Sequence, residues 1–94
     1  MKRSFIYFVT TAAEHARAKI NYNLFIRIKI GRTTDIKKRL MNLQVSSPDL
    51  LVLIKIIEHR DEKYIHEYFR NYHIRGEWFR INYNMLYGLC RSIY

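Results

Sequence analysis

A tyrosine flanked by apolar residues, Ile6-Tyr7-Phe8, is followed along the chain by two cations alternating with isoleucines, Arg27 and Lys29, then by Arg39, and later by Glu62 with His66 four residues on. If strand alternation turns Ile6 and Phe8 to one face, Tyr7 takes the other. Ile26, Ile28 and Ile30 on the same core face then send Arg27 and Lys29 to join the phenol. On a helix turning about 100° per residue, Arg39 falls roughly 60° from the stripe of Ile36, Leu40 and Leu43 and can lie along the sheet, whereas Lys37 and Lys38 point outward. A second apolar stripe, Ile65, Phe69 and Tyr72, holds Glu62 at a similar offset, one turn before His66. Phosphodiester hydrolysis needs a base or water-orienting group, a cation over the phosphate and usually a carboxylate for a divalent metal. The chain offers each type, and spacing alone permits that chemistry without establishing it.

The elements that must position these residues follow from local patterning. Ser4 to Thr10 and Leu24 to Ile30 read as strands, the second stopping at Gly31. Between them Thr11 to Asn23 is an insertion in which Ala12 to Lys19 suits either a short helix or a hairpin loop. Thr34 or Asp35 can cap a helix to about Val45, ended by Ser46-Ser47-Pro48-Asp49. Leu50 to Glu58, aliphatic at almost every position, reads as a third and central strand. Asp61 starts a helix to about Tyr72, Gly76 breaks it, Glu77 to Ile81 forms a short extended segment, and Asn82 or Asn84 caps a closing helix through Ile93. The expected order is β, β, α, β, α, turn, α.

The chain has 94 residues, 49% hydrophobic, with one Pro and three Gly. That is room for one domain with its own core and not the composition of a disordered tail. The longest apolar run, Leu50 to Ile57 broken by Lys55, falls far short of the roughly 20 residues that span a bilayer, and no secretory leader is recognisable. A single cysteine, Cys90, fits a reducing compartment, so a cytoplasmic or nuclear location is expected and no membrane partner. Net charge is +9, and residues 1–47 hold ten basic and two acidic side chains against seven and six in residues 48–94. A basic half of this kind attracts polyanions, phosphate backbones first among them.

Ile6-Tyr7, then Lys29-Ile30-Gly31, Arg39 eight residues after the glycine, and Glu62 on a later helix resemble the GIY-YIG endonuclease superfamily. More narrowly, Lys29-Ile30-Gly31-Arg32-Thr33-Thr34-Asp35, Arg39-Leu40, the Ser47-Pro48 turn, Glu62 with His66, Phe69, and Gly76-Glu77-Trp78-Phe79 are similar to a branch found in bacteriophage, large DNA virus, bacterial and fungal proteins, the fungal ones known as meiotically up-regulated proteins. The match covers about residues 5–81 of a 1–94 domain, leaving the closing helix at 82–94. The resemblance implies an α+β fold, a small three-stranded antiparallel sheet flanked by helices. It also implies metal-assisted endonuclease hydrolysis of nucleic acid, DNA before RNA, and the richness in Ile, Asn, Lys and Tyr suits the AT-rich genome of a virus or mobile element. Carried over by position, Tyr7 is the general base or water-orienting group, Lys29 assists it, Arg39 binds the scissile phosphate, and Glu62 holds one Mg²⁺ or Mn²⁺. Lys29 and Arg27 on the face of Tyr7 should favour its phenolate. Arg27, Arg32, Lys37 and Lys38 are expected to track the nucleic-acid backbone.

Phe5 stands where the first motif usually has glycine, and Leu43 where many members have histidine. A weakly active or inert module that binds nucleic acid or protein is therefore the alternative function. With no room for a separate reading module, specificity is expected to be low or supplied by a targeting partner protein, and a homodimer is a candidate for cutting both strands. His59, His66 and His73 recur every seven residues, and His66 is a secondary site candidate, but zinc needs three or four ligands and Cys90 has no partner cysteine. Glu77-Trp78-Phe79 reads as a packing and turn signature, although an exposed tryptophan could stack a base.

Overall fold

The computed structural model describes residues 3–58 and 61–93; His59, one member of the seven-residue histidine series, lies outside them. Strand β1 (Phe5–Thr11) runs straight into helix α1 (Ala12–Ala18), because Thr11 is both its last residue and the helix cap, its side chain accepting from the Glu14 amide. The insertion is thus a helix followed by a short return to strand β2 (Ile26–Thr33). Asp35 caps α2 (Ile36–Val45) through the Lys38 amide, and strand β3 (Leu51–Ile57) follows. Asp61 caps α3 (Glu62–Tyr68) through the Tyr64 amide. A 3-10 turn at Arg70–Tyr72 leads to β4 (His73–Arg75), β5 (Trp78–Ile81) and α4 (Tyr83–Ile93), the last capped by the Asn82 carboxamide on the Met85 amide.

The fold is α+β, but the expected three-stranded sheet is corrected: five antiparallel strands lie in the order β3-β1-β2-β5-β4. The two extra strands form a hairpin closed at Gly76, whose φ of +53° belongs to the left-handed region that glycine enters without steric cost. β4 is only three residues long and exposed throughout, so no alternation of apolar residues announces it. β3 is likewise not central. It sits at the edge beside β1, and its aliphatic run is only half buried, packed under α2. Ile54 is the unopposed residue of a bulge between β1 and β3 and turns onto the core. The helix expected to reach Tyr72 stops at Tyr68, and Tyr72 is exposed rather than part of the apolar stripe.

One sheet face makes the core. Ile6 and Phe8 of β1 and Ile26, Ile28 and Ile30 of β2 meet Ile65 of α3, Phe69 just past its end, and Leu86 and Leu89 of α4, all buried. The alternate residues Tyr7, Arg27 and Lys29 therefore share the opposite face, as strand alternation requires. No helix among the described residues is long and apolar enough to cross a membrane.

Candidate functional site

The site is organised around a missing side chain. Pairing of β1 with β2 sets Tyr7 opposite Gly31, and a Cβ on Gly31 would fall on the Tyr7 hydroxyl and Cζ and 2.8 Å from Glu77 Oε1. Gly31 is required here for space rather than for backbone conformation, since Gly76 is the only positive-φ residue among those described. The buried Tyr7 ring, 1% exposed, crosses this gap so that its hydroxyl donates to Glu77 Oε1 at 3.5 Å. Glu77 is held in place by its own backbone, whose carbonyl accepts from the Ile30 amide at 2.9 Å beside Gly31.

Burial and the Glu77 charge push the Tyr7 phenol up to about 12; Arg39 pulls it down, and Glu62 adds to the rise. The expected push toward phenolate by Lys29 and Arg27 is not found. Lys29 shares the face of Tyr7 but directs Nζ to Glu77 Oε1 at 3.8 Å, with the ammonium 5.4 Å from the Trp78 ring centroid. Arg27 is committed to Glu14, a nearly buried carboxylate, through Nη2 at 3.0 Å and Nε at 3.3 Å, and its own amide donates to the same carboxylate at 2.7 Å. Arg27 therefore ties α1 to β2.

Glu62 opens α3 and faces the same centre. Its pKa is raised by burial first and then by Glu77, through charge repulsion and hydrogen bonding, while His66 and Arg32 draw it down. Its Oε2 is buried without a hydrogen-bond partner, and the His66 ring nitrogen stands 3.6 Å away. That nitrogen, His66 Nε2, lies 3.0 Å from the Ile30 carbonyl; a carbonyl only accepts, so Nε2 carries hydrogen and cannot be a metal ligand in this arrangement. His73 Nε2 likewise faces a carbonyl, that of Gly76. Among the described residues no group of three or more His, Cys, Asp or Glu side chains gathers around a common point.

The fit to a divalent cation therefore rests on two carboxylates. An orphaned buried oxygen on Glu62 and like-charge repulsion from Glu77 are what a hard cation would relieve, and Mg²⁺ accepts few protein oxygens while keeping much of its water. A binuclear or histidine-rich centre does not fit.

The structure thus brings Tyr7, Arg39 and Glu62 into one electrostatic neighbourhood, with Lys29 attached through Glu77. Arg32 is near enough to act on Glu62 and donates to Ser4 at 2.8 Å; Lys37 and Lys38 lie exposed on α2, and so does Arg39, which the sequence placed along the sheet. Glu77 is the site residue that patterning missed. It sits in a tight turn, where no periodicity applies, and the one available signal was its place between Gly76 and Trp78 in the Gly-Glu-Trp-Phe motif.

Comparison with known proteins adds one finding. The chain matches the T5orf172 domain over residues 4–93 and belongs to that family, which is associated with GIY-YIG- and HNH-like nuclease-type domains. No curated protein and no solved structure gives a significant match to it.

Proposed function

We propose that this T5orf172-domain chain is a divalent-metal-dependent endonuclease of the GIY-YIG type that hydrolyses phosphodiester bonds in DNA. The observation that carries this reading is the meeting of Tyr7 and Glu77 at the side-chain gap of Gly31, with Glu62 and Arg39 close enough for their charges to act on the phenol. A Mg²⁺ or Mn²⁺ held by Glu62, with Glu77 beside it, supplies Lewis-acid polarisation of the phosphate oxygens when bound.

The chain's own groups do the rest. With a pKa near 12, Tyr7 is a neutral phenol at pH 7, so it orients water rather than attacking its proton as a phenolate. Its hydrogen points to Glu77, which leaves the phenolic oxygen free to accept from a water molecule. As that water attacks phosphorus, its proton passes to the Tyr7 oxygen while the Tyr7 proton moves to Glu77; the departing sugar oxygen takes its proton from solvent. Lys29 Nζ stands 3.8 Å from Glu77 Oε1 and offsets the carboxylate charge. Arg39 binds the scissile phosphate, where its planar fork makes two charge-assisted hydrogen bonds and neutralises charge that grows in the transition state.

The test is incubation of the pure protein with supercoiled plasmid and with labelled single-stranded, duplex and branched DNA and RNA in Mg²⁺, Mn²⁺ or EDTA. Cutting of DNA in either metal and none in EDTA is expected. Salt-dependent binding of these substrates with no cutting in any metal would replace the nuclease by a nucleic-acid-binding module of the same fold.

A further inference from the structure

The sheet face that carries Tyr7 has a second feature that hydrolysis does not use. Pairing of β2 with β5 sets Lys29 opposite Trp78 and Arg27 opposite Arg80, so an indole and three cations stand side by side, with Lys29 two residues from Gly31. Trp78 is half-buried and forms one wall of a groove of about 320 Å³. The other wall is Leu43 of α2 with Ser46, Ser47 and Pro48 of the turn that follows. That turn is held firmly: the Gln44 side chain donates to the Asp49 carbonyl and accepts from the Leu51 amide, both at 2.9 Å, and Ser47 Oγ bridges the Asp49 amide and carbonyl.

We propose that this groove holds one unpaired nucleotide of the substrate strand next to the scissile phosphate, its base packed between Trp78 and Pro48. The proposal deepens the nuclease reading and rests on it for the placement of the strand. A volume at the lower end of small-ligand sites suits a single nucleotide. In a duplex both faces of a base are covered by its neighbours, so a recessed aromatic wall is reached only by a base outside the stack. Cations lie on the Tyr7 side: Lys29 over the indole, and Arg80, which makes no ion pair among the described residues. Asp49 also lines the groove and disfavours a phosphate inside it, so the phosphates run along the cationic sheet face and the neutral base enters the groove. An acidic peptide would match the cations but offers no flat ring for the indole. The substrate class is thus DNA with an unpaired segment, such as a flap, loop or frayed end, rather than intact duplex.

Trp78 is the only tryptophan in the chain, so its fluorescence reports the groove directly. In EDTA, a short single-stranded oligodeoxynucleotide is expected to quench that emission, and a blunt duplex of the same sequence is not. Replacing single nucleotides of the oligonucleotide by abasic sites, with the wild-type protein, should weaken binding roughly tenfold at one position. Trp78→Phe should retain most of the affinity and Trp78→Ala lose about as much as the abasic site. Equal quenching by duplex and single strand, or uniform affinity across the abasic series, would overturn the proposal. Quenching and an abasic effect without any cutting in Mg²⁺ would uphold the groove and remove the nuclease, whereas cutting with unaltered tryptophan emission would do the reverse.

Discussion

Gly31→Ala puts one methyl group into the gap on which the site is built. Glycine-to-alanine replacement at a relaxed position stabilises a protein by about 0.4–1 kcal/mol through the unfolded chain, so the sign of the change is itself informative. Here the new Cβ would overlap the Tyr7 hydroxyl and Cζ and stand 2.8 Å from Glu77 Oε1. Tyr7 is 1% exposed within β1 and has no open space to retreat into. Overpacking of this kind costs about 1–3 kcal/mol. In a domain of this size each kcal/mol moves Tm by about 4–8 °C, so calorimetry should record a fall of roughly 5–20 °C. Tyr7→Leu removes the two Tyr7 atoms and leaves only the Glu77 carboxylate, the end of a flexible side chain, to shift, so in that background Gly31→Ala should cost far less. The double-mutant cycle therefore carries a coupling of about 1–3 kcal/mol. A stabilising Gly31→Ala, or the same cost in both backgrounds, would refute the placement of Tyr7 over Gly31.

Three further outcomes follow from the charges around that gap. The folded pKa of Tyr7 lies near 12 against an ordinary 10.0, so its neutral form contributes stability that is complete below pH 10 and is lost as pH rises through 12. Denaturant midpoints between pH 9 and pH 12 should fall more steeply for the wild type than for Tyr7→Phe, by about 2–3 kcal/mol in total; parallel curves would count against the buried, carboxylate-flanked phenol. Glu62 is raised instead of lowered, so its charge costs stability once pH passes its folded pKa and costs nothing below the ordinary carboxylate range. Glu62→Gln should melt higher than the wild type at pH 8 with the gap closing toward pH 4, and millimolar Mg²⁺ should raise the wild-type Tm and not that of the variant. Glu14→Ala leaves the Arg27 amide and guanidinium without their shared partner and should destabilise the fold by about 1–3 kcal/mol in urea unfolding; an unchanged midpoint would contradict that link.

Alternation and helical spacing make much of this arrangement legible in the sequence. Ile6 and Phe8 against Tyr7, and the isoleucines of β2 against Arg27 and Lys29, assign faces because a strand allows only two. Helical offset turned Glu62 toward the sheet for the same kind of reason, though it left Arg39 exposed, and Asp35, Asp61 and Asn82 mark helix starts by side chains suited to the first-turn amides. Other features had no such signal. β4 is three exposed residues that depend on β5 for all of their pairing. The aliphatic run of β3 suggested burial on every side, but α2 covers it at an edge where a central strand would have two neighbours. Whether a cation on the right face meets the phenol or a competing carboxylate depends on neighbours distant in sequence. Lys29 went to Glu77 and Arg27 to Glu14, and so the field at Tyr7 took the opposite sign to the one expected from β2 alone.

Cleavage and affinity measured side by side on Glu62→Ala and Tyr7→Phe test the central proposal most directly. Each folded variant, supplied with labelled DNA in Mg²⁺ or Mn²⁺, is expected to lose cutting by at least about a hundredfold, the scale of a general acid–base contribution. Its affinity for the same DNA in EDTA should stay within a few fold of the wild type. Cutting that persists in either variant, or affinity that falls in step with activity, would contradict a hydrolytic centre at Gly31.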